Sequence, residues 1–251
     1  LTLKITKLMA TRPRIYTSED LILNTKIILD AQASIHLIKV LRLKQGDELR
    51  LFNGNGNEYL AHITNVNKKN TEIEIDSTLS SESKISFPLH LGQVISKGDR
   101  MDFTIQKATE LGITEITPLY SERCEARLKG DRLEKKIEHW KKVAISACEQ
   151  SGRNHIPTIH PAMNYNDWAQ SVDSEIKLLL HTRDQKSLSE IAPPASVALL
   201  VGPEGGITDN EVEFCLQQGF TGLTLGPRIL RTETAALAAL SIFQYQWGDF
   251  K

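Results

Sequence analysis

Leu199–Leu240 reads LLVGPEGGITDNEVEFCLQQGFTGLTLGPRILRTETAALAAL, and this stretch decides the fold. Ser196–Val201 (SVALLV) is a short unbroken apolar run, the pattern of a strand buried on both faces, and it stops at Gly202-Pro203-Glu204-Gly205-Gly206. A helix follows: Thr208 and Glu211 have the spacing of a capping box, Val212, Cys215 and Leu216 form an apolar stripe, and Gly219 supplies a left-handed stop. The unit then repeats. Thr221–Leu225 predicts a second strand, Gly226–Arg231 a second loop, and Thr232 to about Trp247 an alanine-rich helix with Thr232 as its N-cap. Loops at the carboxyl ends of parallel strands are where open α/β sheets bind ligands, and glycines there let backbone groups approach a flat ligand closely.

The alternation extends backward through the chain. LHLGQVI predicts a strand, Arg100–Leu111 a helix ended by Gly112, EITPLY a strand and Arg132–Gln150 a long amphipathic helix. The apolar face of that helix carries Leu133, Ile137, Trp140, Ala144 and Ala147, and LLLHT ending at Thr182 is a further strand. Together these make an α/β domain on a mainly parallel sheet.

The amino-terminal part differs. Asp47–Asn53, Glu58–Val66 and Thr71–Ile75 alternate or are β-branched, with one short helix around Ser34–Leu41. Asn53-Gly54-Asn55-Gly56-Asn57 lies between two of these strands and predicts a hairpin turn, since a phosphate loop needs a helix directly after it. LSSESKIS (Leu79–Ser86) is polar and aperiodic, as a linker should be. The expected organisation is therefore an extension at 1–8 ahead of Met9, a small β-rich domain at 9–80, a linker at 81–86 and the α/β domain at 87–251.

Composition narrows the function classes. The chain has 251 residues, 40% hydrophobic and 24% charged, enough for two cores, and it has no apolar run long enough to span a bilayer and no signal-peptide pattern at its start. A cytoplasmic location is the default expectation. Cys124, Cys148 and Cys215 are widely spaced, with no C-x-x-C and no H-E-x-x-H, so neither a disulfide framework nor a metal site is indicated. A net charge of -1 argues against a protein that coats nucleic acid without specificity. Arg12, Arg14, Lys39, Arg42 and Lys44 still form a local basic cluster, whereas the lysines and arginines of 129–142 are mixed with Asp131, Glu134 and Glu138 and read as a solvated face.

Four blocks carry a resemblance: GPEGGIT, LGPRILRTETAALAAL, KGDRMDFTIQKATELGITEITPL (Lys97–Leu119) and EQSGRNHIP (Glu149–Pro157). In this order they resemble the RsmE family, the 16S ribosomal RNA uracil-N3 methyltransferases of the SPOUT class, over nearly the whole chain. The resemblance implies a C-terminal SPOUT α/β domain closed by a deep trefoil knot and an N-terminal β-rich, PUA-like RNA-binding domain. It also implies a homodimer, S-adenosyl-L-methionine as cofactor and 16S rRNA, within the assembled 30S subunit, as partner; neither a metal nor a membrane is implied. Carried over residue by residue, the cofactor site comprises Leu180, His181 and Thr182, then Val201, Gly202, Glu204 and Gly205, then Leu225, Gly226, Ile229, Leu230 and Thr234. Leu225, Ile229 and Leu230 would enclose the adenine ring, with plain core packing as their other reading. The family often has an aromatic residue at Ile207, and Cys124–Arg127 departs from its consensus.

Methylation at N3 of uracil requires alignment with the donor and loss of the N3 proton, which leaves negative charge shared with the flanking carbonyl oxygens. A guanidinium beside one of those oxygens would stabilise that charge, and Arg231 is the candidate; the alternative is an ion pair with Glu204 or Glu233. Glu204, if partly buried with a raised pKa, would accept the proton; alternatively it holds Arg231 or bonds backbone N–H groups. If no side chain serves, water does, and activity rises through the alkaline range. Arg12, Arg14, Arg42, Lys44 and Arg153 are the expected RNA contacts, with a helix C-cap at Gly152 and Arg153 as the other reading of that segment. Two rivals remain: a SPOUT ribose 2′-O-methyltransferase, and a non-catalytic RNA-binding assembly factor.

Overall fold

The computed structural model describes residues 12–81, 87–126, 128–181, 188 and 191–250. The proposed extension at 1–8 and all but the first residue of the linker lie outside the described residues. The chain forms two compact units, one from residues 1–84 with Cys148–Ile156, the other from Ile85–Ala147 with Pro157–Lys251. No helix among the described residues is long and apolar enough to cross a membrane.

The first unit contains β1 (Arg14–Tyr16), β2 (Lys26–Ile28), α1 (Ala31–Ile35) running into a π-helical turn at His36–Val40, β3 (Glu48–Phe52), β4 (Asn57–Asn65) and β5 (Glu72–Ser81). The strands pair in the order β1-β3-β4-β5-β2, antiparallel except for β1 with β3. Alternation drives this sheet: Leu49 and Leu51 of β3, Ile63 of β4, and Ile73 and Ile75 of β5 face one core with Leu37. Gly54 and Gly56 take φ of 92° and 89° in the predicted turn between β3 and β4. The helix starts earlier than its apolar pattern suggests because Asp30 caps it, accepting from the Ala33 N–H at 2.8 Å. β5 likewise outlasts Ile75 and takes in the start of the serine-rich stretch. Irregular pairing with β4 carries it to Ser81 opposite Asn57, and the Ser81 hydroxyl donates to Asn57 Oδ1 at 2.6 Å.

The second unit follows the βα alternation: β6 (Leu89–Val94), α2 (Arg100–Glu110), β7 (Glu115–Tyr120), α3 (Asp131–Ser151), β8 (Thr158–Ile159), β9 (Met163–Asn164) and α4 (Tyr165–Ser171). It ends with β10 (Ile176–Leu180), β11 (Val197–Val201), α5 (Asp209–Gln217), β12 (Thr221–Leu223) and α6 (Thr232–Gln246). The last turn of α3 is grouped with the first unit. All pairings in the seven-stranded sheet are parallel, in the order β12-β10-β11-β6-β7-β8, with β9 also on β7.

Central β11 is buried throughout, as its unbroken apolar sequence requires. Val197, Leu199 and Val201 face a core shared with α2, α3 and α6, while Ala198 and Leu200 face another shared with α4 and α5. Helices thus cover both sides of the sheet. Full burial of each such aliphatic side chain contributes about 1.5–3 kcal/mol. Gly92 in the middle of β6 is explained by the same layering: a Cβ there would meet the Trp168 ring of α4 at 2.6 Å. Residues 182–187 and 189–190, which connect β10 to β11 and through which a knot would be traced, lie outside the described residues.

Candidate functional site

A cleft of about 550 Å³ opens at the carboxyl ends of β10 and β11, a size typical of a small-molecule site. Its wall is the first glycine loop. Gly202 leaves β11 where a Cβ would come within 2.4 Å of Ile207, so a larger residue would push the loop off its own following segment. The loop turns at Pro203–Gly206, with the Gly206 N–H donating to the Pro203 carbonyl at 2.9 Å and Gly206 at φ 73°. It then enters α5 through the predicted capping box of Thr208 and Glu211. Glu211 also accepts from the Glu122 N–H at 2.8 Å, tying the loop after β7 to the same corner.

Two further hydrogen bonds fasten the last helix to this loop. The Thr232 hydroxyl donates to the Gly202 carbonyl at 2.7 Å, and Gln93 at the end of β6 donates its Nε2 to the Thr232 hydroxyl oxygen at 2.9 Å. The expectation that Thr232 caps α6 is corrected: Arg231 holds the N-cap position without a side-chain cap bond, and Thr232 begins the first turn. On the other side, the His181 N–H donates to the Leu223 carbonyl at 3.2 Å and the Thr224 hydroxyl donates to the His181 carbonyl at 3.1 Å.

Among the expected cofactor residues, Leu180, His181, Val201 and Gly202 line the cleft, together with Glu204, Ile229 and Leu230. Ile229 is fully exposed at 103%, so core packing does not account for it; it stands at the mouth as an open apolar surface. Leu225, by contrast, packs against the core with α6. Gly205 and Gly226 lie outside the lining, Gly226 at φ 77° in the second loop. Thr234 lines an adjoining depression with Lys97, Asp99, Arg100 and Phe103. Thr182 lies outside the described residues.

Arg231 lines the cleft, exposed, with no ion pair among the described residues, so the alternative pairings with Glu204 and Glu233 are not formed. Glu204 instead binds Arg100, Nη1 to Oε1 at 2.5 Å. The carboxylate expected as a partly buried proton acceptor is thus 36% exposed and held by a guanidinium. Arg100 is a site residue that the sequence reading missed. The available signal was its place in the KGDR segment just after β6, at the same carboxyl edge of the sheet as the glycine loops. Glu233 was also missed; it lines the cleft, and its Oε2 is buried without a hydrogen-bond partner among the described residues. Burial raises the thiol of half-buried Cys124 above the ordinary range.

In the first unit, Arg14 is corrected from RNA contact to structural residue. It is 6% exposed, its Nε is 2.6 Å from Glu58, its other nitrogens bond the Cys148 carbonyl, the Arg153 carbonyl and Asn154 Oδ1, and it lies over the Phe52 ring. Arg153 is 9% exposed, and Gly152 at φ 87° provides the left-handed helix stop of that segment's other reading. Arg12 pairs with Glu48 at 2.6 Å and is 20% exposed. Arg42 and Lys44 are exposed.

Comparison with known proteins agrees with both units. An RNA methyltransferase domain matches residues 83–244 and an RNA methyltransferase PUA domain matches 29–76. The ribosomal RNA small subunit methyltransferase E of Buchnera aphidicola from Acyrthosiphon pisum is 37% identical over 95% of both chains. The chain belongs to the ribosomal RNA small subunit methyltransferase E family. The family member from Neisseria gonorrhoeae, solved bound to S-adenosyl methionine, superposes with a TM-score of 0.91 at 40% identity, covering 96% of this chain and 100% of that one. A methyltransferase structure from Legionella pneumophila in complex with the cofactor SAM gives 0.92 at 40% identity, covering 95% and 99%. Ile207, where the family often has an aromatic residue, fills the space behind Gly202.

Proposed function

We propose that this chain methylates N3 of a uridine in 16S rRNA of the small ribosomal subunit, with S-adenosyl-L-methionine as donor. The observation that carries the reading is the cleft at the carboxyl ends of β10 and β11, where glycine-loop backbone, exposed Ile229 and an Arg231 without an ion pair among the described residues meet. Family membership supports the same reaction. The cofactor fits these residues: the volume suffices, Ile229 and Leu230 offer apolar cover for a flat ring, and the turn at Pro203–Gly206 offers backbone groups. When bound, it supplies an electrophilic methyl group on a sulfonium, so no activation of the leaving group is required.

Arg231 places a guanidinium against a uracil carbonyl oxygen, where charge accumulates as the N3 proton departs. Glu204 holds Arg100 and through it the start of α2. The proton then passes to solvent, and activity rises through the alkaline range. Arg12, Arg42 and Lys44 of the PUA-like unit contact RNA phosphates. The chain acts as a homodimer in the cytoplasm on the assembled 30S subunit, with a knotted carboxyl-terminal segment.

The test is transfer of labelled methyl from S-adenosyl-L-methionine to unmodified 30S particles, followed by nucleoside identification. Label in 3-methyluridine is expected. Label in a 2′-O-methyl nucleoside would establish the ribose reading, and cofactor binding without transfer would establish a non-catalytic factor.

A further inference from the structure

At the opposite, amino-terminal edge of the same parallel sheet, on β6, β7 and just after β8, His90, Glu115 and His160 come together. His90 and Glu115 are register neighbours near the starts of β6 and β7, and His160 follows β8, with its N–H donating to the Ile116 carbonyl at 2.9 Å. Three adjacent strands thus deliver three side chains to one point. Glu115 Oε2 lies 2.7 Å from His160 Nε2 and 3.9 Å from His90 Nδ1, the two imidazoles stack with centroids 5.2 Å apart, and all three ligand atoms fall within 4.8 Å of one another. Ligand atoms on a tetrahedral zinc ion are roughly 3.3 Å apart, a value between the two measured separations.

We propose that His90, Glu115 and His160 bind one divalent transition-metal ion of the zinc class, with water completing its coordination. Two imidazoles and one carboxylate are a donor set that zinc accepts with an open position. The surroundings fit a ligand role for His90. Its Nε2 lies 2.8 Å from Thr117 Oγ1 and 3.4 Å from Trp168 Nε1, so polar partners hold the ring by that nitrogen while Nδ1 is the one on the side of Glu115. Trp168 stands edge-on to the ring at 84°, walling it from one side. The ion would tie β6, β7 and β8 together at the ends remote from the cleft, a structural clasp and not a part of methyl transfer.

The experiment uses the full chain after chelator treatment and dialysis. Calorimetric titration with zinc chloride is expected to give one ion per chain, and cobalt chloride a visible absorption band from the bound ion. The melting temperature should rise about 5–10 °C at a hundredfold excess over Kd. His160→Ala and Glu115→Gln should each weaken binding at least about tenfold and cut the melting shift by about half or more at the same zinc concentration. Both side chains are partly exposed, so the metal-free variants should melt close to the metal-free parent. No saturable binding by the parent at roughly 100 µM zinc overturns the proposal. So does unchanged binding by both variants, which would place the ion on pairs such as His62–Asp76 or His139–Asp102.

Discussion

Thr232 binds Gly202 across two elements that the chain order separates: its hydroxyl donates to the carbonyl at the end of β11 at 2.7 Å and accepts from Gln93 at the end of β6. One small side chain thereby sets the last helix against the first glycine loop. Thr232→Val keeps the shape and removes both bonds, leaving polar groups without partners in a buried place. A loss of about 1–3 kcal/mol is expected, with Thr232→Ser restoring most of it. Thermal unfolding measures the stability change, and calorimetry with S-adenosyl-L-methionine measures the accompanying fall in affinity.

Arg231 is exposed and makes no ion pair among the described residues. Under the proposed function, Arg231→Ala lowers kcat by about 10²–10³-fold and changes cofactor Kd little. Single-turnover transfer to 30S particles alongside cofactor calorimetry separates the two. A rise in cofactor Kd matching the loss of rate would assign Arg231 to cofactor binding.

Gly202→Ala sets a methyl group against Ile207 at a separation that requires movement. Cofactor affinity and melting temperature should both fall, and adding Ile207→Ala should recover part of each by opening the space. Absence of any recovery would mean that the loop responds to something other than this collision.

Arg14→Ala removes the guanidinium that satisfies Glu58, Asn154 and two carbonyls. Glu58 keeps Arg50 at 3.4 Å, so the loss expected is that of leaving buried hydrogen-bonding groups unpaired, about 1–3 kcal/mol. Arg42→Ala, at an exposed position, should leave the melting temperature alone and reduce the salt dependence of RNA binding. Measured together, unfolding and salt titration distinguish an internal arginine from a phosphate contact.

Alkaline pH should weaken the second unit. Burial pushes the Cys215 thiol up to about 11 from an ordinary 9.0, and raises the Tyr165 hydroxyl that lies 3.2 Å from it. Above pH 9 the unfolded chain releases the thiol proton while the folded chain retains it, so stability is intact below that pH and falls until about 11. The thiol alone accounts for about 2–3 kcal/mol over this window. Urea midpoints on either side of it should show the decline, and Cys215→Ala should flatten it.

Much of this was legible in the chain. β11, the capping box of α5 and the Gly219 stop follow from local chemistry: apolar continuity, side-chain reach and a positive φ. The cleft followed because topology sends loops to one edge of a parallel sheet. What escaped depends on partners distant in sequence. Arg14 resembles a surface arginine until Glu58 and Asn154 are seen around it, and Glu204 resembles a free carboxylate until Arg100 arrives from another loop. His90, Glu115 and His160 have no motif spacing because strand register, and not helical pitch, assembles them. β8, β9 and α4 are too short to leave a periodic trace.

The grouping of Cys148–Ile156 with residues 1–84 bears on how the protein is born. Synthesis proceeds from the amino terminus, and units generally fold as they are completed. Here the carbonyls and the amide that Arg14 needs are translated only after residues 85–147. Until then the β-rich unit holds that guanidinium by Glu58 and Phe52 alone, with two of its nitrogens unanswered, so its completion waits on residues that follow the intervening unit, and a gene fragment ending in the linker would encode an unfinished domain.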